Sequence, residues 1–324
     1  MAAEIDSEAP GSRPFRVLCL DGGGMRGVFT AAFLACIEEI LGDRLAGHLD
    51  LIAGTSAGGL IALGLASGRS GQQMLDLFRD HGRDIFSGSW PGRQLFMPKY
   101  SRKGLDRLLQ AEFGELLMRD LSLPTCISAY EAVSGQTRVF KTFHAEDLYW
   151  GHDQPVWRVA AATSAAPTYF APVQFTEEDA HVDGGVWANN PSMIAITEAV
   201  RRLGQGLADI RLLSVGTVAP RAQIKSLRKG RRMGLVGWAK PAIALLQGGP
   251  AMGTHFQALH LLGPDHYLRI GDRAEQAAPV ALDDVDACQP LAAIGHRSAL
   301  DSWPQVKQLL GLDAAGPQPL EGTS

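Results

Sequence analysis

A serine, an aspartate and two runs of glycine carry the chemistry that this chain could perform. Ser56 lies in Gly54-Thr55-Ser56-Ala57-Gly58-Gly59. That fits G-x-S-x-G, in which a strained strand-to-helix turn lifts a serine hydroxyl out of a sheet. Upstream, Asp21-Gly22-Gly23-Gly24-Met25-Arg26-Gly27 offers backbone N–H groups with no side chains in the way. Such a run can hold a negatively charged oxygen, so Gly22, Gly23 and Gly24 form a candidate oxyanion hole. Arg26 either polarises that hole or holds the loop by pairing with a carboxylate. Together these parts are most of an acyl hydrolase.

A serine hydroxyl needs a base. Asp183, in Asp183-Gly184-Gly185, ends a short apparent strand and is followed by glycines that open space above it. Histidine is the usual base. His255, His260, His266 and His296 keep the Ser–Asp–His order, but none has a flanking glycine turn. His181 shares a strand face with Asp183 and could support it from behind without acting on the serine itself. A dinucleotide loop competes for the first glycine run, because Gly22-x-Gly24-x-x-Gly27 has that spacing and Asp43 or Asp50 follows. It would leave the serine elbow unexplained. No G-K-[ST] follows, which excludes a phosphate-binding P-loop.

The elements that must position these residues alternate. Strands are expected at 16–20, 49–53, 125–133, 137–143, 181–183, 210–215 and 267–270. Helical patterns cover 28–41, 58–66, 71–86, 104–113, 156–162, 192–203, part of 230–262, and 290–310 with a break or bend near Pro304. Strands alternating with helices imply a mostly parallel sheet covered on both faces, with ligands beyond its carboxyl ends. Ser134-Gly135 marks a hairpin and one antiparallel element. Residues 1–14 and 313–324 have the composition of frayed tails around one domain, 15–312.

The 324 residues carry a net charge of −4, which argues against broad nucleic-acid binding, so no DNA partner is expected. Cys19, Cys36, Cys126 and Cys288 form no C-x-x-C pair and suit buried free thiols in a reducing compartment. The first residues lack an apolar signal core, and no apolar run is long enough to span a bilayer. A cytoplasmic protein with peripheral membrane contact is expected. No H-E-x-x-H or other ligand cluster is visible, so neither metal nor cofactor is expected.

The three motifs, in this order and with Asn189-Asn190-Pro191 after the aspartate, resemble the patatin-like phospholipases. The resemblance covers about residues 15–215, with no departure inside the motifs. It implies a three-layer α/β/α sandwich and a serine–aspartate dyad in place of a triad. Ser56 would be the nucleophile, Asp183 the base, Gly22, Gly23 and Gly24 the oxyanion hole and Arg26 its neighbour. The substrate would be a membrane phospholipid. Compact bacterial members include effectors of cyclic-oligonucleotide antiphage signalling (CBASS). The chain looks like them in its early Asp-Gly-Gly-Gly motif, moderate size and lack of an export signal. That likeness implies an activating cyclic oligonucleotide and action at the inner membrane surface. Alternatives are a general esterase or acyltransferase, or a lipid- or nucleotide-binding module without turnover.

Two further segments bear on lipid. The loop 86–98 is broken by glycine and proline yet carries Phe86, Trp90, Phe96 and Met97, as a lid, a bilayer-touching tip or a fold over the core would. Arg228, Lys229, Arg231 and Arg232, with Lys225, precede an apolar run containing Trp238. Basic residues beside tryptophan suit an anionic lipid surface or the phosphates of a soluble ligand.

Overall fold

The alternation of strand and helix builds one sheet. The computed structural model describes residues 13–87, 96–146, 148, 151–218, 235–271 and 280–312. Among these, the strands are β1 (Phe15–Leu20), β2 (Leu51–Gly54), β3 (Thr125–Glu131), β4 (Gln136–Lys141), β5 (His181–Asp183), β6 (Ile210–Val215) and β7 (Tyr267–Ile270). Their order is β4-β3-β2-β1-β6-β7, with β5 added to β3 off this path. The pairs β3–β2, β2–β1, β1–β6 and β6–β7 are parallel. The expected hairpin is the antiparallel β3–β4 pair.

Helices cover both faces: α1 (Gly27–Leu41), α2 (Ala57–Ala66), α3 (Gly71–Ile85), α4 (Arg102–Phe113), α5 (Val156–Thr163), α6 (Gly185–Ala188), α7 (Ser192–Arg201), α8 (Leu235–Leu262) and α9 (Cys288–Leu310). The period-2 alternation of β1 sorts its side chains between two cores. Leu18 and Leu20 face the larger one, built with α1 to α5 and α9. Val17 and Cys19 face the smaller one, with Ala195, Ile196, Ala258 and Leu262 of α7 and α8. The result is the three-layer α/β/α sandwich. Every residue of α2 is buried, which explains a helix with no polar face.

Several expectations about elements need correction: β3 ends at Glu131 and not at 133, and β4 ends at Lys141 and not at 143. Of the break or bend expected near Pro304, the break is absent: the last helix runs continuously from Cys288 to Leu310. Proline removes one helical N–H donor, the one that would meet the carbonyl of Leu300, a residue that is itself exposed. Residues 49 and 50 do not belong to β2, which begins at Leu51; Asp50 instead caps the start of β1, its carboxylate accepting the Arg16 N–H at 2.8 Å. All four cysteines are free thiols, three of them buried.

Candidate active site

Strand β1 ends at Leu20 and β2 at Gly54, paired side by side, so both glycine elbows emerge at the same edge of the sheet. Ser56 follows β2 and takes φ 54° and ψ −126°, a rare conformation for a residue with a side chain. The turn closes because Gly58 has no Cβ: one there would lie 2.4 Å from the Leu20 carbonyl oxygen and 2.5 Å from that of Asp21. The start of α2 can therefore sit against the root of the first elbow.

Asp183 arrives by a route that alternation does not predict. β5 is antiparallel to β3 and places Asp183 opposite Ala129, two residues beyond the point where β3 pairs with Gly54. Ser56 and Asp183 line the same pocket, and the Ser56 hydroxyl is close enough to favour the ionised Asp183 carboxylate. The Gly185 N–H donates to Asp183 Oδ1 at 2.7 Å. Asp183 is 3 % exposed, and among the described residues no cation pairs with it. Burial pushes its carboxyl up to about 6, against the smaller opposing effects of Ser56 and the Gly185 N–H. A carboxylate in that range is a far better proton acceptor at neutral pH than a solvated one.

Among the described residues no histidine lines the pocket around Ser56. His255 bonds the Tyr267 hydroxyl and His260 the Phe256 carbonyl. His181 is packed between Phe140 and Phe175, beside Asp179.

The first elbow divides its amides. Gly22 N–H donates to the Asn189 carbonyl at 3.1 Å, and Met25 N–H to that of Leu282 at 2.7 Å. The Gly22 carbonyl accepts from Asn189 Nδ2 and the Thr217 hydroxyl. Gly22 is thus a clasp between the two catalytic loops, and its amide does not face a substrate. Among the described residues no acceptor takes the N–H of Gly23, Gly24 or Ala57, and all three residues line the pocket. Arg26 holds the loop, as one reading of the sequence expected, but through the Gly23 carbonyl at 3.2 Å and not through a carboxylate. Burial lowers its guanidinium to about 10, still a cation at neutral pH, on the pocket wall.

The root of the elbow is anchored by a pair that the sequence did not reveal. Arg269 on β7 grips Asp21 with two hydrogen bonds, 2.8 and 2.5 Å, and also bonds Ser214. Across the mouth, Leu282 touches Gly24, and Asp283 binds Lys99 and the Tyr100 hydroxyl. The pocket at Ser56 is walled by Leu60, Phe78, Ile85, Phe86, Leu105 and Phe170. Apolar walls beside a few polar groups, Ser56, Asp183, Arg26 and Asn189, suit an ester with a hydrocarbon arm.

Phe86 belongs to this wall, whereas Phe96 and Met97 are exposed; residues 88–95 of that loop lie outside the described residues. So do Lys225, Arg228, Lys229, Arg231 and Arg232. One group of metal-ligand types does exist away from the pocket, Cys126, His144 and Glu198. It joins β3, α7 and the segment after β4, so no local spacing announces it. Glu198 is already bonded by His144 Nε2 at 2.9 Å and Lys141 Nζ at 2.5 Å, and His144 Nδ1 by Thr142 at 2.7 Å. It reads as a buried ion-pair network.

A serine on a strained elbow, a buried aspartate and the amides of Gly23, Gly24 and Ala57 thus meet at one pocket of the three-layer sandwich. The family model described as patatin-like phospholipase matches residues 18–196, and the chain belongs to that family. Among its relatives is a "cGAMP-activated phospholipase" of Vibrio cholerae, 30 % identical over 91 % of this chain and 93 % of that protein. Another of that description, from Pseudomonas aeruginosa, is 34 % identical over 84 % of this chain and 83 % of that protein. A third, from Escherichia coli, is 37 % identical over 63 % of this chain and 62 % of its own length. Among the described residues no helix is long and apolar enough to cross a membrane.

The raised carboxyl of Asp183 sets a pH dependence. Only the ionised form can take the serine proton, so kcat/KM should climb with pH along a limb centred near 6. Rates on a soluble short-chain ester between pH 4.5 and 8 check this. A limb centred near the ordinary carboxylate value of 3.8 would mean that Asp183 is solvated or is not the base.

Proposed function

We propose that the chain hydrolyses phospholipid acyl esters through Ser56 and Asp183. The observation that carries this reading is that Ser56, on its strained turn, and the buried Asp183 line one largely apolar pocket together with Gly23, Gly24 and Ala57. Ser56 Oγ attacks the ester carbonyl carbon while Asp183 takes its proton. The carbonyl π pair moves onto oxygen, and the free amides of Gly23, Gly24 and Ala57 hold the oxyanion, with the Arg26 charge close by. The intermediate collapses, the C–O bond to the lysolipid breaks, and the leaving alkoxide takes the proton from Asp183. Water then adds to the acyl-Ser56 ester, giving its proton to Asp183; serine leaves with that proton and the fatty acid is released.

Regulation follows from the relatives. Their description as cGAMP-activated supports a cyclic-nucleotide switch on this chain; an antiphage role in the cytoplasm with a target at the inner membrane surface is proposed with it. Arg228, Lys229, Arg231 and Arg232 remain the proposed contact for nucleotide or lipid phosphates. Fatty-acid release from phospholipid vesicles by the purified protein, with and without cGAMP, tests both parts. Release that rises at least about tenfold with cGAMP fits a ligand that shifts a poorly populated active state. Equal release with and without any cyclic di- or trinucleotide would leave a constitutive lipase. No release from vesicles or soluble esters would overturn the hydrolase.

A further inference from the structure

We infer that Thr163 is a positioning residue for this chemistry: its buried hydroxyl fixes the strained Ser56 backbone to β3, the strand on which Asp183 is also registered. The inference rests on Ser56 and Asp183 being the dyad.

Thr163 is the last residue of α5 and is fully buried. A threonine hydroxyl has one proton to give and lone pairs to receive with. The proton goes to the Ser128 carbonyl at 2.7 Å. The oxygen accepts the Ser56 N–H at 2.8 Å. That N–H, just ahead of α2, has no backbone acceptor. A residue held at φ 54° persists only where its surroundings fix it. Thr163 supplies the fixing bond and turns the Ser56 amide away from the pocket.

Ser128 is the next link. Its neighbour Ala129 is the register partner of Asp183. The Ser128 hydroxyl lies 2.7 Å from that of Thr55, which in turn donates to the Ala188 carbonyl at 2.7 Å. The nucleophile and the base are therefore both set against two consecutive residues of one strand, and Thr163 is the tie on the serine side. Thr163 does not line the pocket, so it contributes to the geometry of the dyad and not to substrate binding.

The test compares Thr163→Val, which keeps the shape and removes the hydroxyl, with Thr163→Ser, which keeps the hydroxyl. Thermal midpoint, kcat and KM on a soluble ester, fluorophosphonate labelling rate and the pH–rate limb are read for each. For Thr163→Val, kcat and labelling should fall on the order of 10- to 100-fold with KM within about twofold. Its acid limb should move above the parent's, because a displaced Ser56 no longer lowers the Asp183 carboxyl. Thr163→Ser should stay within a few-fold of the parent. Parental kcat and labelling in a folded Thr163→Val protein would overturn the inference, as would equal loss in the valine and serine variants. If the valine variant does not fold, Thr163→Ala against Thr163→Ser asks the same question at matched stability. Retained turnover in Ser56→Ala would instead sink the dyad itself, a separate failure.

Discussion

Asp183→Asn is expected to abolish hydrolysis while making the protein more stable at pH 8. The folded carboxyl holds its proton up to about 6, and an unfolded one only to about 3.8. Below 3.8 both states are protonated and burial of the charge costs nothing. Between the two values the native state binds more protons, so stability declines as pH rises. Above 6 the whole cost stands, up to about 3 kcal/mol at 1.36 kcal/mol per pH unit. Asparagine carries no charge, its Oδ1 can accept the Gly185 N–H, and its amide can donate to Ser56. Turnover should fall by at least about 10⁴-fold, as loss of a serine enzyme's base does. The thermal midpoint of the variant should exceed the parent's at pH 8, with the gap closing toward pH 4. Near-parental turnover would remove Asp183 from the mechanism. A variant less stable than the parent at pH 8 would show that the carboxylate is not a burden in the fold.

Gly24→Ala should lower turnover by about 10²- to 10³-fold, the loss seen when one oxyanion donor is removed. Gly24 has φ 56°, and an added Cβ would lie 2.2 Å from the Leu282 carbonyl oxygen. That atom is backbone and also holds the Met25 N–H, so the elbow must shift and take the Gly23 and Gly24 amides with it. Gly47→Ala is the control, with nothing within 4 Å of its Cβ and no positive φ. Initial rates and circular dichroism on both variants check this. Equal turnover in Gly24→Ala and the parent would show that this elbow does not hold the oxyanion.

The parts of the fold set by local pattern were legible in the chain. The strands 181–183, 210–215 and 267–270 coincide with β5, β6 and β7 because short apolar runs between turn residues have clear ends. Ser56 and Asp183 stand out because each is flanked by glycines that a core would not otherwise need. What stayed hidden depends on partners far away in the chain. The grip of Arg269 on Asp21 spans 248 positions. The Gly22 amide looks like a free donor until Asn189 is placed against it, and Leu282 is one leucine among many until it meets Gly24. The antiparallel course of β5 is likewise a matter of register, since three residues carry no signal of direction. Thr163 gave only a helix-end threonine; its role arises from Ser56 and Ser128, one on each side.

The central claim is that Ser56 is a nucleophile activated by Asp183. Peptide mapping by mass spectrometry after timed exposure to a fluorophosphonate tests it most directly. The predicted result is one adduct, on the peptide carrying Ser56, absent in Ser56→Ala and formed far more slowly in Asp183→Asn. An ester-hydrolysing protein that forms no adduct at Ser56, or one labelled equally fast without the Asp183 carboxylate, would contradict it.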